Sequence, residues 1–142
     1  MATNASIGYG TIFQRGDGAD PETFTPVGEV INELPWDMTK DVVDATHHGS
    51  PNRYREKISG LRDAGEIVIE VNHVPGGTAF TDALSDFNDD VARNYKIVWS
   101  DTSELEFSGI LSNLSVTSPL DDKMVASLTY TLASEPTYTA AA

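Results

Sequence analysis

The 142-residue chain contains no cysteine. That excludes disulfide scaffolds, thiolate zinc sites and cysteine nucleophiles together. No apolar run approaches the roughly 20 residues that a membrane-spanning helix needs. Met1 to Gly10 has neither a basic stretch nor an apolar core, so no secretion signal is expected there. Cations are scarce: nine Lys and Arg stand against 22 Asp and Glu, for a formal net charge of −13. So negative a surface repels nucleic-acid phosphates. It serves solubility, or it lets a polyanion slide past without sticking; composition leaves both open.

The few cations are unevenly placed. Residues 1–46 hold two basic and eight acidic side chains, and residues 63–142 hold three and thirteen. Between them, residues 47–62 carry Arg53, Arg55, Lys57 and Arg62 against Glu56 alone. A basic island in an acidic chain can orient one copy against another.

The apolar pattern is mostly of period two. A strand is expected within Gly8–Phe13, followed by a turn cluster over Gly16–Pro21, and then a β-rich stretch from Phe24 to Trp36. Lys40–Thr46 reads as a short strand. Residues 47–62 show no apolar period and read as a long loop. Ile67, Ile69 and Val71 face one way and Val68, Glu70 and Asn72 the other; Leu105 and Phe107 alternate with Glu104, Glu106 and Ser108, and Met124, Ala126, Leu128, Tyr130 and Leu132 share a face against Ser127, Thr129 and Thr131. A parity change after Gly109 predicts a bulge there. One helix is expected over Ala79–Arg93, with Phe80, Leu84, Phe87 and Val91 as its buried stripe and Thr78 or Thr81 as its cap. The whole is expected to be a single domain, 1–142, with short flexible ends at about 1–7 and 134–142. Its class is mainly β: a β-sandwich or partly open barrel with one flanking α-helix.

Constellations for chemistry are thin. Asp44, His47 and His48 could ligate zinc through oxygen and nitrogen. His47-His48-Gly49-Ser50 resembles a fragment of metallo-β-lactamase-like nucleases, but the clustered histidine signature of that family is absent. No nucleophile elbow and no phosphate-binding glycine loop occurs. Asp89-Asp90 and Asp121-Asp122 lack the alternating carboxylates of a calcium loop and read as solvated turns. Tyr54 between Arg53 and Arg55 reads as part of an interaction loop before it reads as a single-strand platform.

The order of the turn and strand signals carries a resemblance. Asp44 and Thr46 end one strand, a polar loop follows, and Gly60-Leu61-Arg62-Asp63-Ala64-Gly65 leads into the next. Thr11, then Phe24-Thr25-Pro26-Val27-Gly28-Glu29-Val30, the single helix, and Phe107-Ser108-Gly109 fall in sequence around them. Over roughly residues 8–133 this resembles the major tail tube proteins of long non-contractile-tailed bacteriophages, a lambda-like siphovirus family also found in prophages and gene-transfer particles. The resemblance implies a structural subunit and no enzyme, with no cofactor and no metal. It implies homohexameric rings stacked into a tube around a tape-measure protein, closed by tail terminator and tail-tip proteins. DNA would pass through the lumen without sequence-specific binding. Such a tail is assembled in the bacterial host cytoplasm and touches no membrane. On this reading the basic loop (His47, His48, Arg53, Tyr54, Arg55, Lys57, Arg62) reaches the acidic surface of the neighbouring ring, ordering as it does so. A carbohydrate- or protein-binding β-sandwich module is the alternative, and a hydrolase using Asp44, His47 and His48 a more distant one.

Overall fold

The computed structural model describes residues 9–19, 21–28, 30–31 and 34–140. The expected flexible start at 1–7 lies outside the described residues. The strands are β1 (Ile12–Gly16), β2 (Phe24–Pro26), β3 (Thr39–Asp44), β4 (Lys57–Asp63), β5 (Glu66–Asn72), β6 (Arg93–Val98), β7 (Glu104–Thr117), β8 (Val125–Leu132) and β9 (Thr137–Thr139). The helix α1 spans Thr78–Phe87. Seven strands form one antiparallel sheet in the order β2-β1-β6-β7-β8-β5, with β9 paired to the first part of β7. β3 and β4 pair only with each other. The fold is therefore mainly β with one flanking helix, as the sequence implies, and its sheets stay open.

Alternation explains the sheet. Ile67, Ile69 and Val71 on β5, Leu105 and Phe107 on β7, and Ala126, Leu128, Tyr130 and Leu132 on β8 all point into one core with Phe13 and Tyr95. The ring of Phe13 on β1 lies 5.1 Å from that of Tyr130 on β8, and Tyr95 lies 4.5 Å from Tyr130. In a flat sheet, strands three places apart are roughly 14 Å from one another and their side chains stand parallel. The rings meet because the sheet curls around them. The bulge expected near Gly109 falls three residues on, at Ser112 between Leu111 and Asn113, because Leu111 keeps the core parity of Phe107. Ser112 Oγ donates to Thr129 O at 3.1 Å there.

Helix α1 departs from expectation. It ends at Phe87, so Val91 lies outside it, and Gly77 is its N-cap without any side-chain cap bond. Ala83 and Asp86 are buried, while Leu84 and Phe87 are 41 % and 48 % exposed. The helix is thus turned by about one residue, roughly 100°, from the orientation its apolar stripe predicts. Asp86 is the reason. Arg15 donates to it from Nε and Nη2, both at 2.7 Å, and the Tyr95 hydroxyl donates at 2.9 Å. Arg93 Nε lies 2.9 Å away as an ion-pair contact without hydrogen-bond geometry. The hydrogen bond to Asp86 holds the Arg15 guanidinium above its ordinary pKa. A buried charge must be paired, so the cage holds α1 against β1 and β6 in this rotation. The small inward Ala79 and Ala83 leave a cavity of about 110 Å³ beneath the helix, bordered by Val27, Val71, Leu114 and Leu128.

Two further expectations are corrected. The long loop at 47–62 ends early: Lys57–Asp63 is β4, whose backbone finds its partners on β3. The flexible end at 134–142 contains β9, which pairs Thr137–Thr139 with Glu104–Glu106 and sets Tyr138 6.2 Å from Trp99.

The turn from β4 to β5 hinges on Gly65, at φ +82°. A Cβ there would overlap the Asp37 carbonyl oxygen. Gly65→Ala is expected to cost about 2 kcal/mol, combining the left-handed backbone with displacement of Asp37. Chemical denaturation checks this: an unchanged midpoint would mean that the segment at Asp37 yields freely.

Candidate interaction surface

The β3–β4 hairpin stands apart from the core, with every residue of its two strands exposed except the partly buried Gly60. An isolated two-stranded hairpin is at best marginally stable in water, and this one exposes apolar side chains as well. Val42 is 62 % exposed, Ile58 58 % and Leu61 83 %. Val43 pairs with Ile58 across the strands, Asp44 with Lys57, and Lys40 with Arg62. Like charges directly opposite one another are unfavourable, and among the described residues neither Lys40 nor Arg62 makes an ion pair.

The connection at the tip is tied to itself. Asp44 Oδ1 accepts from the Thr46 amide at 2.9 Å and from its hydroxyl. These bonds hold the Asp44 carboxyl below the ordinary carboxylate range. Thr46 Oγ1 accepts from the Glu56 amide at 2.9 Å. Glu56 Oε2 lies 3.0 Å from Ser50 Oγ and 3.2 Å from His47 Nε2, and His47 Nδ1 accepts from the Gly49 amide at 3.0 Å. Serine, glutamate and histidine therefore meet here, but in the wrong order for nucleophilic catalysis. A catalytic triad needs the imidazole between hydroxyl and carboxylate; here the carboxylate lies between. The cluster is a loop clamp. Asp44 is occupied by Thr46, and among the described residues no three potential ligands come together to hold a metal ion.

Beyond the clamp, Pro51–Arg53 makes one 3₁₀ turn, with Asn52 and Arg53 in the left-handed region at φ 55° and 62°. His47, His48, Arg53, Tyr54, Arg55, Lys57 and Arg62 are all exposed on this hairpin. The structure splits them: His47 to Arg55 lie on the connection, whereas Lys57 and Arg62 lie on β4, with Arg62 near the opposite end. Among the described residues Arg53, Arg55, Lys57 and Arg62 make no ion pair, whereas Arg15 and Arg93 are bound to Asp86 and Lys96 to Glu104.

A second surface has no counterpart among the expected site residues. Leu84, Phe87, Val91 at 71 % and Val74 at 60 % exposure lie on or beside α1. The signal for it was present as the helical stripe, which reads equally well as core.

The chain matches known proteins over nearly its whole length. Residues 9–139 match the family described as lambda phage tail tube protein. No curated protein sequence matches. Among solved structures, a chain in the tail of an empty gene transfer agent particle, computed with helical refinement and C6 symmetry, superposes with a TM-score of 0.80 at 16% identity, covering 96% of this chain and 100% of that one. A chain in an extracellular contractile injection system, the PVC sheath-tube complex in its extended state, gives 0.69 at 18% identity over 96% and 93%. One in the anti-feeding prophage baseplate gives 0.71 at 9% identity over 98% and 97%.

Proposed function

Because the chain belongs to the lambda phage tail tube protein family, matched across residues 9–139, we propose that it assembles into hexameric rings. The rings stack into a tube around a tape-measure protein, and the tube later conducts DNA. Tail terminator and tail-tip proteins close its ends. The observation that carries this reading is the hairpin, an exposed two-stranded sheet with apolar side chains on it, which gains stability when another molecule covers it. The sixfold symmetry described for the tail of the gene transfer agent particle supports six subunits per ring. Six copies would bring about −78 formal charges, six times −13, to each ring. A carboxylate-lined lumen repels DNA phosphates over about 8 Å at physiological salt, so the strand passes without adhering. Nothing in the exposed aromatics favours the carbohydrate-binding alternative: among the described residues Tyr9, Tyr54, Phe87 and Tyr138 lie on four separate segments of the chain.

In this proposal the basic hairpin is the axial contact between rings. The triple variant Arg53→Glu, Arg55→Glu, Lys57→Glu is expected to abolish tubes in electron micrographs of concentrated protein. Its melting temperature should stay within about 2 °C of the parent, since exposed side chains contribute little to the fold. Normal tubes from the variant would remove the hairpin from the contact. Dispersed monomers of the parent protein at every concentration, and with tail-tip components added, would sink the tube itself.

A further inference from the structure

The β3–β4 hairpin and the outer face of α1 are two surfaces left uncovered in one subunit. We propose that they cover each other between copies: the hairpin of one subunit docks on the outward face of α1 in a second copy. The inference rests on the tube reading and names the receptor that it leaves open.

The apolar parts correspond. Val43 and Ile58 form a cross-strand pair, 48 % and 58 % exposed. Leu84 and Phe87 stand about one turn apart on α1, and Val91 continues their line beyond its end. The match is not made within one subunit, because all five side chains remain exposed there. An amphipathic stripe facing away from the core is the usual mark of a surface that another chain will bury.

The charges correspond as well. Residues 39–63 carry five basic and four acidic side chains, net +1, and the rest of the chain four and eighteen, net −14. The last turn of α1 has no basic residue, and Asp89 and Asp90 follow its C-cap, Asn88. Carbonyl groups at a helix C-terminus already favour cations. Arg93 answers Asp89 at 3.7 Å, whereas Asp90 is exposed beside it. The hairpin offers Lys40, Arg53, Arg55, Lys57 and Arg62, which have no ion pair among the described residues, and its Lys40–Arg62 rung is relieved by an external carboxylate.

The absence of cysteine makes the test direct. Two single variants, Val43→Cys and Leu84→Cys, are mixed, allowed to assemble and mildly oxidised. A mixed disulfide dimer confined to the assembled fraction is expected. In parallel, Asp90→Lys should raise the concentration needed for assembly about tenfold, and Arg53→Glu with Arg55→Glu in the same chain should restore it. Tubes that form without the mixed disulfide, or a disulfide equally present in dilute subunits, would overturn the docking site and leave the tube standing. If the parent protein never assembles, the tube reading falls and the docking site falls with it.

Discussion

Asp86→Ala is expected to lower stability by about 4 kcal/mol, the cost of breaking a buried charge pair from one side. The carboxylate has only 2 % of its side chain exposed and accepts three hydrogen bonds, two from Arg15 and one from Tyr95. Its removal strands the Arg15 guanidinium, the Tyr95 hydroxyl and one contact of Arg93 in surroundings that supply no other anion as close. For a domain of this size about 4 kcal/mol corresponds to a fall in melting temperature of roughly 8–16 °C. Total stability is on the order of 10 kcal/mol, so the variant stays folded at room temperature. Asp86→Asn keeps an acceptor and loses the charge, and should fall between the two. A melting temperature within about 3 °C of the parent for Asp86→Ala would show that the cage does not orient the helix. The same variant also frees α1 to roll Leu84 and Phe87 inward, which a loss of their exposure in hydrogen exchange or labelling would reveal.

Alkaline pH is expected to destabilise the protein through two core tyrosines. Burial, reinforced by neighbouring groups including Asp86, pushes the Tyr95 and Tyr130 hydroxyls well above their ordinary value near 10. The unfolded chain releases both protons above pH 10 and the fold retains them. Stability is therefore full below pH 10 and falls as pH rises toward the folded-state values. Each retained proton costs about 1.4 kcal/mol per pH unit, so the pair removes roughly 5 kcal/mol by pH 12. Denaturation midpoints between pH 8 and 12 measure the slope directly. Tyr130→Phe should halve it, whatever it does to stability at neutral pH. A flat profile to pH 12 would mean that the phenols reach water in the native state.

Much of this architecture was legible from residue parity. Ile67, Ile69 and Val71, or Ala126, Leu128 and Tyr130, alternate with less buried and mostly polar neighbours because one sheet face meets the core and the other does not. The method fails where that asymmetry is missing. β4 is exposed on both faces, so Lys57–Asp63 shows no alternation and reads as loop. β9 is only three residues long, too short for any period to register. The helix misleads for a different reason: Leu84 and Phe87 repeat with helical spacing, and periodicity cannot tell an outward apolar stripe from an inward one. Arg15 and Arg93 held the clue. They share strand parity with Phe13 and Tyr95, two residues away on β1 and β6. Two arginines at core positions require a buried carboxylate, and Asp86 lies on the same helical side as Ala79 and Ala83. Of the expected site, the cations of the hairpin were visible as charge. Their division between a clamped connection and a strand was not, since the clamp depends on His47, Ser50 and Glu56 meeting in space.

The order of strands in the sheet also governs when a growing chain can fold. β8, the last long strand, is inserted between β7 and β5, and β1 must find β6 some eighty residues away. β5 therefore has no long strand partner until Leu132 has been synthesised. A nascent chain up to that point has both partners of the local β3–β4 pairing beside an incomplete sheet. Pairings between distant segments form slowly. The core under α1, which takes Ala126 and Leu128 from β8, therefore closes only when that strand enters, and until then the β3–β4 pairing is marginal on its own.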